Sequence, residues 1–157
     1  MSSVGKRGVC QVSQEYSDYV VEIEQCLRLV SSAVRRKGRT LLAEYGITSP
    51  QLDALIVLDR EGELTIGELS GKLYLAYSTT TDLVDRLEKA SYVTRQRGTD
   101  DRRVVRVRLE PHGVRLIEGV LTARRKYLDA VLATVDTHTR KTILDSLEVL
   151  HMNMANQ

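Results

Sequence analysis

Residues 65–109 read TIGELSGKLYLAYSTTTDLVDRLEKASYVTRQRGTDDRRVVRVRL, and the periodicity of this stretch changes twice. Thr65-Ile66-Gly67-Glu68 is a capping box, with Thr and Glu three residues apart, and it opens a short helix through Leu69 to Leu73. After Tyr74-Leu75-Ala76 a second helix is predicted from about Tyr77 to Ala90, with Leu83, Val84 and Leu87 on its inward face. Its outward and N-terminal positions are read as Ser78, Thr79, Thr80, Thr81, Asp82, Asp85 and Arg86. From Tyr92 to Arg97, and again from Val104 to Leu109, the period drops to two. Gly98-Thr99-Asp100-Asp101 between these runs is turn chemistry, so they form a β-hairpin.

Working outward, residues 1–14 are small and polar and read as a loose arm. Tyr16, Val20, Ile23, Leu27, Val30 and Val34 then follow in steps of four and three, the seam of a helix that packs on another helix. That helix is expected to reach about Tyr45, where Gly46 supplies a stop. Thr48, Pro50 and Gln51 open the next helix, whose inner face is read as Leu52, Leu55, Ile56 and Leu58 and which ends at Glu61-Gly62. Beyond the hairpin, helices are predicted from about Pro111 to Val135 and from about His138 to Met154. The fold class is therefore mainly α with a small β-hairpin: a winged helix-turn-helix lobe (46–110) flanked by N- and C-terminal helices (15–45 and 111–157).

Two short helices, the second with a polar N-terminal half, suit a major groove about 12 Å wide, whose base edges are read from the helix start. Serine and threonine hydroxyls donate or accept there, although Ser/Thr runs at helix starts also serve simply as caps. The hairpin weighs against the plainer reading. Residues 92–109 hold Arg95, Arg97, Arg102, Arg103, Arg106 and Arg108 against Asp100 and Asp101, a net +4. The whole chain is only +2, so the remainder is net negative. Positive charge is thus concentrated where a wing would lie along phosphates. The alternatives are a merely solvated hairpin, or a winged module that binds protein, for which six arginines have no evident use.

Composition excludes much else. There are seven tyrosines and no Phe or Trp, so the core is built of Leu, Val, Ile and Ala. No run approaches the roughly 20 apolar residues of a membrane helix, and no secretion signal is recognisable, so the expected location is cytoplasmic. Cys10 and Cys26 form neither a disulfide framework nor a zinc motif. With no phosphate loop, nucleophile elbow or metal motif, neither an enzyme nor a cofactor or metal is expected.

The sequence resembles the multiple antibiotic resistance regulators, the MarR family, from about residue 16 to 154. The likeness rests on Gly46-Ile47-Thr48-x-Pro50-Gln51, on Thr65-Ile66-x-Glu68-Leu69, and on Leu73-Tyr74-Leu75 leading into Ser78-Thr79-Thr80-Thr81-x-Leu83-Val84-x-Arg86-Leu87-Glu88. It continues through Asp101-x-Arg103 and Leu109-x-x-x-Gly113. The resemblance implies a homodimer with interleaved end helices, which makes 15–45 and 111–157 the dimerisation region, double-stranded DNA as partner, and a small-molecule effector that releases the DNA. It implies that Ser78 to Thr81 and Arg86 meet the major groove, and that Arg103 enters the minor groove held by Asp101. One branch of the family senses organic hydroperoxides through a cysteine in the first helix, which brings Cys26 into view as a redox alternative, with Cys10 reactive through exposure. Against it, Cys26 falls two residues late, a rotation of about 200° on a helix. Gly38 and Ser49 also stand where aromatic hydroxyls would hold the thiolate. Cys26 is therefore expected to be a small buried apolar residue.

Overall fold

The computed structural model describes residues 16–97 and 104–156. The chain divides after Lys37 into two compact units. A long helix, α1 (Asp18–Glu44), runs across the division. In the first unit it carries Tyr19, Val20, Val21, Ile23, Leu29, Val30 and Val34 exposed, so the seam seen in the sequence has no cover within that unit.

The second unit holds α2 (Ser49–Glu61), β1 (Leu64–Thr65), α3 (Ile66–Leu73), α4 (Tyr77–Lys89), β2 (Val93–Arg97), β3 (Val105–Leu109), α5 (Pro111–Leu132) and α6 (Thr137–Ala155). The boundaries have local causes. Gly46, at φ +65°, turns the chain out of α1, and the Ile47 N–H returns to the Leu42 carbonyl at 3.1 Å. The Gln51 carboxamide accepts from the Thr48 N–H at 2.9 Å and starts α2. At α3 the box is reciprocal: Glu68 accepts from the Thr65 N–H at 2.7 Å and the Thr65 hydroxyl accepts from the Glu68 N–H at 3.2 Å. Asp136 caps α6 by accepting from the Thr139 N–H at 3.0 Å, and Arg140 donates back to the Leu132 and Val135 carbonyls.

Strands β2 and β3 pair antiparallel, Val93 opposite Leu109 and Arg95 opposite Val107. The sequence reading missed β1, which pairs with the other edge of β3 (Leu64 opposite Val107) to make a three-stranded sheet in the order β1-β3-β2. Two residues carry no period, so only the tertiary pairing reveals them. The aliphatic core runs through Leu42, Leu52, Leu55, Leu58, Leu69, Val84, Leu87, Val107 and Val120. On α2 the expected inner face shifts slightly: Ala54 is fully buried, while Ile56 is only half-buried. Helix α6 buries no residue at all.

The Gly113 of the sequence motif has a steric cause. A Cβ there would lie 2.5 Å from the Tyr92 carbonyl oxygen and 2.6 Å from a Leu109 methyl. That carbonyl already accepts the Glu110 N–H at 2.9 Å, so it cannot yield. Close approach of α5 to the hairpin thus demands glycine. Gly113→Ala is expected to cost about 1–3 kcal/mol, read as a lower urea midpoint at unchanged slope.

Hydrogen bonds from Thr65 hold the Glu68 carboxyl below its ordinary value of 4.5. A depressed folded pKa means stabilisation that is complete above the unfolded value and fades as pH falls through the folded one. Glu68→Gln keeps a cap-competent side chain and removes the titration. The variant should therefore lose less stability than the parent between pH 7 and pH 3 in parallel denaturant titrations.

Candidate nucleic-acid interface

Helix α4 is amphipathic in a way that assigns each of its polar residues. Leu83, Val84 and Leu87 turn into the core, as the sequence suggested. Thr80 joins them: it is 0% exposed and its hydroxyl donates to the Ala76 carbonyl at 3.1 Å. This corrects its reading as an outward position. Thr81 is half-buried and its hydroxyl donates to the Tyr77 carbonyl at 3.0 Å. Ser78, Thr79, Asp82 and Arg86 are exposed, and their spacing places them along one side of the helix. None of the four hydroxyl residues is a cap. The N-cap is Ala76, which offers no side-chain acceptor, so the first N–H groups of α4 have no side chain against them.

The hairpin arginines divide. Arg95 was expected on the phosphates, and the structure places it otherwise: its side chain is 24% exposed and faces α4. Its guanidinium donates to Glu88 at 2.8 Å and to the Thr81 carbonyl at 3.4 Å, and it pairs with Asp85. Its backbone N–H also donates to Glu88, at 2.9 Å. Arg95 is thereby a brace tying β2 to α4, with its charge answered by two carboxylates. The sequence reading counted its sign but not its neighbours; Asp85 and Glu88, three apart on α4, were the available signal. Arg106 lies 4.0 Å from Glu68 and Arg108 3.8 Å from Glu63, both on exposed surface where such pairs are worth little. Arg86 and Arg97 are exposed, and among the described residues neither has an ion-pair partner. Asp101, Arg102 and Arg103 lie outside the described residues, as does Cys10.

Two exposed aromatics border this surface and were not singled out in the sequence. Tyr74, in the turn between α3 and α4, is 95% exposed, and Tyr77, the first residue of α4, is 62% exposed. Elsewhere, Cys26 is exposed on α1, not buried as expected, because nothing in its unit packs on that face. Among the described residues no three His, Cys, Asp or Glu side chains are grouped to hold a metal. No helix among them is long and apolar enough to cross a membrane.

A helix-turn-helix with a basic hairpin agrees with what the chain is similar to. The family model described as MarR family matches residues 47–105, the span from the start of α2 to the wing. The HTH-type transcriptional regulator YsmB of Bacillus subtilis (strain 168) is 50% identical over 111 residues, 71% of this chain and 76% of that protein. A MarR family protein from Bacillus stearothermophilus superposes with a TM-score of 0.82 at 42% identity, over 90% of this chain and 99% of that one. Transcriptional regulator Tm0710 from Thermotoga maritima does so at 0.70 and 34% identity, over 86% and 95%.

The brace makes its own prediction. Arg95→Met keeps the aliphatic stem and the backbone hydrogen bond to Glu88 and removes the guanidinium's contacts with Glu88, Asp85 and the Thr81 carbonyl. It should lower stability by about 1–2 kcal/mol, the scale of partly exposed hydrogen bonds to charged groups. The loss should shrink in a Glu88→Gln, Asp85→Asn background, where the charge pairing is gone and the Thr81 carbonyl contact remains, as a double-mutant cycle would read.

Proposed function

From the premise that the chain belongs to the MarR family, and is therefore a DNA-binding transcriptional regulator and not an enzyme, we propose that it acts as a homodimeric repressor. It binds a pseudo-palindromic duplex site with half-sites about one helical turn apart, and a small-molecule effector releases it.

The observation that carries the DNA-facing part is the outer side of α4. Ser78 and Thr79 project from a helix start with no side-chain cap, Arg86 stands two turns further on, and Arg97 leaves from the adjoining hairpin. Free N–H groups and cations suit phosphate, and short hydroxyl side chains suit base edges. Residues 46–110 form the DNA-binding lobe in this reading, with Ser78 and Thr79 reading bases, Arg86 and Arg97 on phosphates, and Thr81 at the rim. The wing residues Asp101, Arg102 and Arg103 keep the roles that the family resemblance implies. Thr80 and Arg95 drop out as contacts, one spent in the core and the other in the brace.

The dimer is supported by what the chain leaves uncovered. Val20, Ile23, Val30 and Val34 of α1, Leu128 and Val131 of α5, and Ile143, Leu144 and Leu147 of α6 are all exposed. An amphipathic helix that buries nothing, as α6 does, gains little from folding unless another surface covers it. Large apolar side chains exposed in such number on each of these helices suit an interface. Residues 15–45 and 111–157 accordingly form the dimerisation region.

The test of the DNA-facing part is a salt-series titration against a duplex selected by the protein from a randomised pool, with unrelated duplex as competitor. Arg86→Ala should weaken binding to all sequences and lower the slope of log K against log salt by about one. Thr79→Ala should reduce discrimination and leave the slope alone. Salt-independent binding, or none at low salt, would count against the reading. For the dimer, Leu144→Glu with Leu147→Glu should sediment as a monomer and lose the selected site. A dimer that persisted would place the interface elsewhere.

A further inference from the structure

Tyr74 combines two features that a fold would ordinarily avoid. Its backbone is left-handed, with φ +53° and ψ +40°, a conformation for which glycine or asparagine is the usual choice. Its ring is almost wholly in water. The turn itself explains the backbone. The Leu75 N–H returns to the Ser70 carbonyl at 3.1 Å, closing the end of α3, while Leu73 and Leu75 on either side pack against the core. With both neighbours turned inward, residue 74 must turn outward. Nothing in that arrangement calls for a tyrosine. Ser91, the other described non-glycine residue with positive φ, ends α4 in the same manner with a small side chain.

Other tyrosines of this unit are put to use. The Tyr45 hydroxyl donates to the Gly119 carbonyl at 2.9 Å, and the Tyr92 ring packs against His112 at 4.8 Å between centroids. Among the described residues Tyr74 makes no such contact, and Tyr77, three residues later at the start of α4, is also exposed. Both stand at the end of α4 from which Ser78 and Thr79 project. The charge nearest in sequence, Lys72, is paired with Glu61 at 3.1 Å. The turn therefore presents neutral hydroxyls, where the opposite end of α4 presents Arg86.

We propose that Tyr74 is a DNA-contacting residue whose hydroxyl donates to a phosphate oxygen at the edge of the groove that α4 enters. The first helix of a helix-turn-helix crosses the backbone there, and tyrosine is among the side chains that position a protein on phosphates. The ring covers sugar carbons while the hydroxyl stays polar, which suits a residue that is half apolar and half wet. A neutral donor fixes register on the duplex without adding to the salt dependence that arginines bring. This inference rests on the placement of α4 in the groove.

The experiment compares the full chain with Tyr74→Phe, Tyr74→Gly and Arg86→Ala, measuring affinity for the selected duplex across a salt series together with Tm. Tyr74→Phe should leave Tm unchanged and weaken binding about tenfold, the scale of one hydrogen bond to a charged group, at an unchanged salt slope. Tyr74→Gly, which relaxes the left-handed backbone, should hold or raise Tm and weaken binding at least as much. Wild-type affinity in Tyr74→Phe, with Arg86→Ala weakened and its slope reduced, would overturn the Tyr74 contact and leave the α4 placement standing. Wild-type behaviour in all three variants would overturn the placement and the Tyr74 contact together.

Discussion

Burial of one face of α4 governs everything the interface can offer. Leu83, Val84 and Leu87 press into a core that contains no Phe or Trp, and Thr80 is carried in with them. An aliphatic core without large rings needs close approach of its helices to reach ordinary packing density. That closeness leaves α4 little freedom to rotate. Once three hydrophobic positions are committed, helical geometry sends Ser78, Thr79, Asp82 and Arg86 outward. The outer face is what remains after the core has taken its share.

Charge follows a similar logic of subtraction. A hairpin with six arginines looks uniformly basic in one dimension, but the fold spends those charges unequally. Arg95 holds the hairpin to α4 through Asp85, Glu88 and the Thr81 carbonyl. This brace ties β2 to α4, so the exposed Arg97 at the end of β2 is held in a set relation to the hydroxyls of α4. Gly113 plays the matching part on the far side, letting α5 approach the carbonyl that anchors the hairpin's end.

The apolar residues left in water by α1, α5 and α6 belong to a different level of organisation. Lobe and end helices solve the same problem, covering hydrophobic surface, with different means. In the lobe, short helices and three strands fold on one another within a single chain. The proposed dimer supplies from a second copy what the end helices lack, and it would set the two copies of α4 at a fixed separation.

How much of this was legible from residues alone follows from the range of the interactions involved. The capping boxes at Thr48 and Thr65, the stop at Gly46, the two-residue period of the hairpin and the heptad seam of the first helix are all local, and local patterns are written in consecutive residues. With the family's motifs in order they determined the succession of helices and hairpin and the class of partner. Contacts between distant segments were not legible. The pairing of β1 with β3, the burial of Thr80, the capture of Arg95 by Asp85 and Glu88, and the clash awaiting any side chain at Gly113 depend on what packs opposite. Sequence periodicity says which residue types share a face. Only the packed structure decides which face meets protein and which is left for a partner, because burial is a property of the whole surroundings and not of the residue.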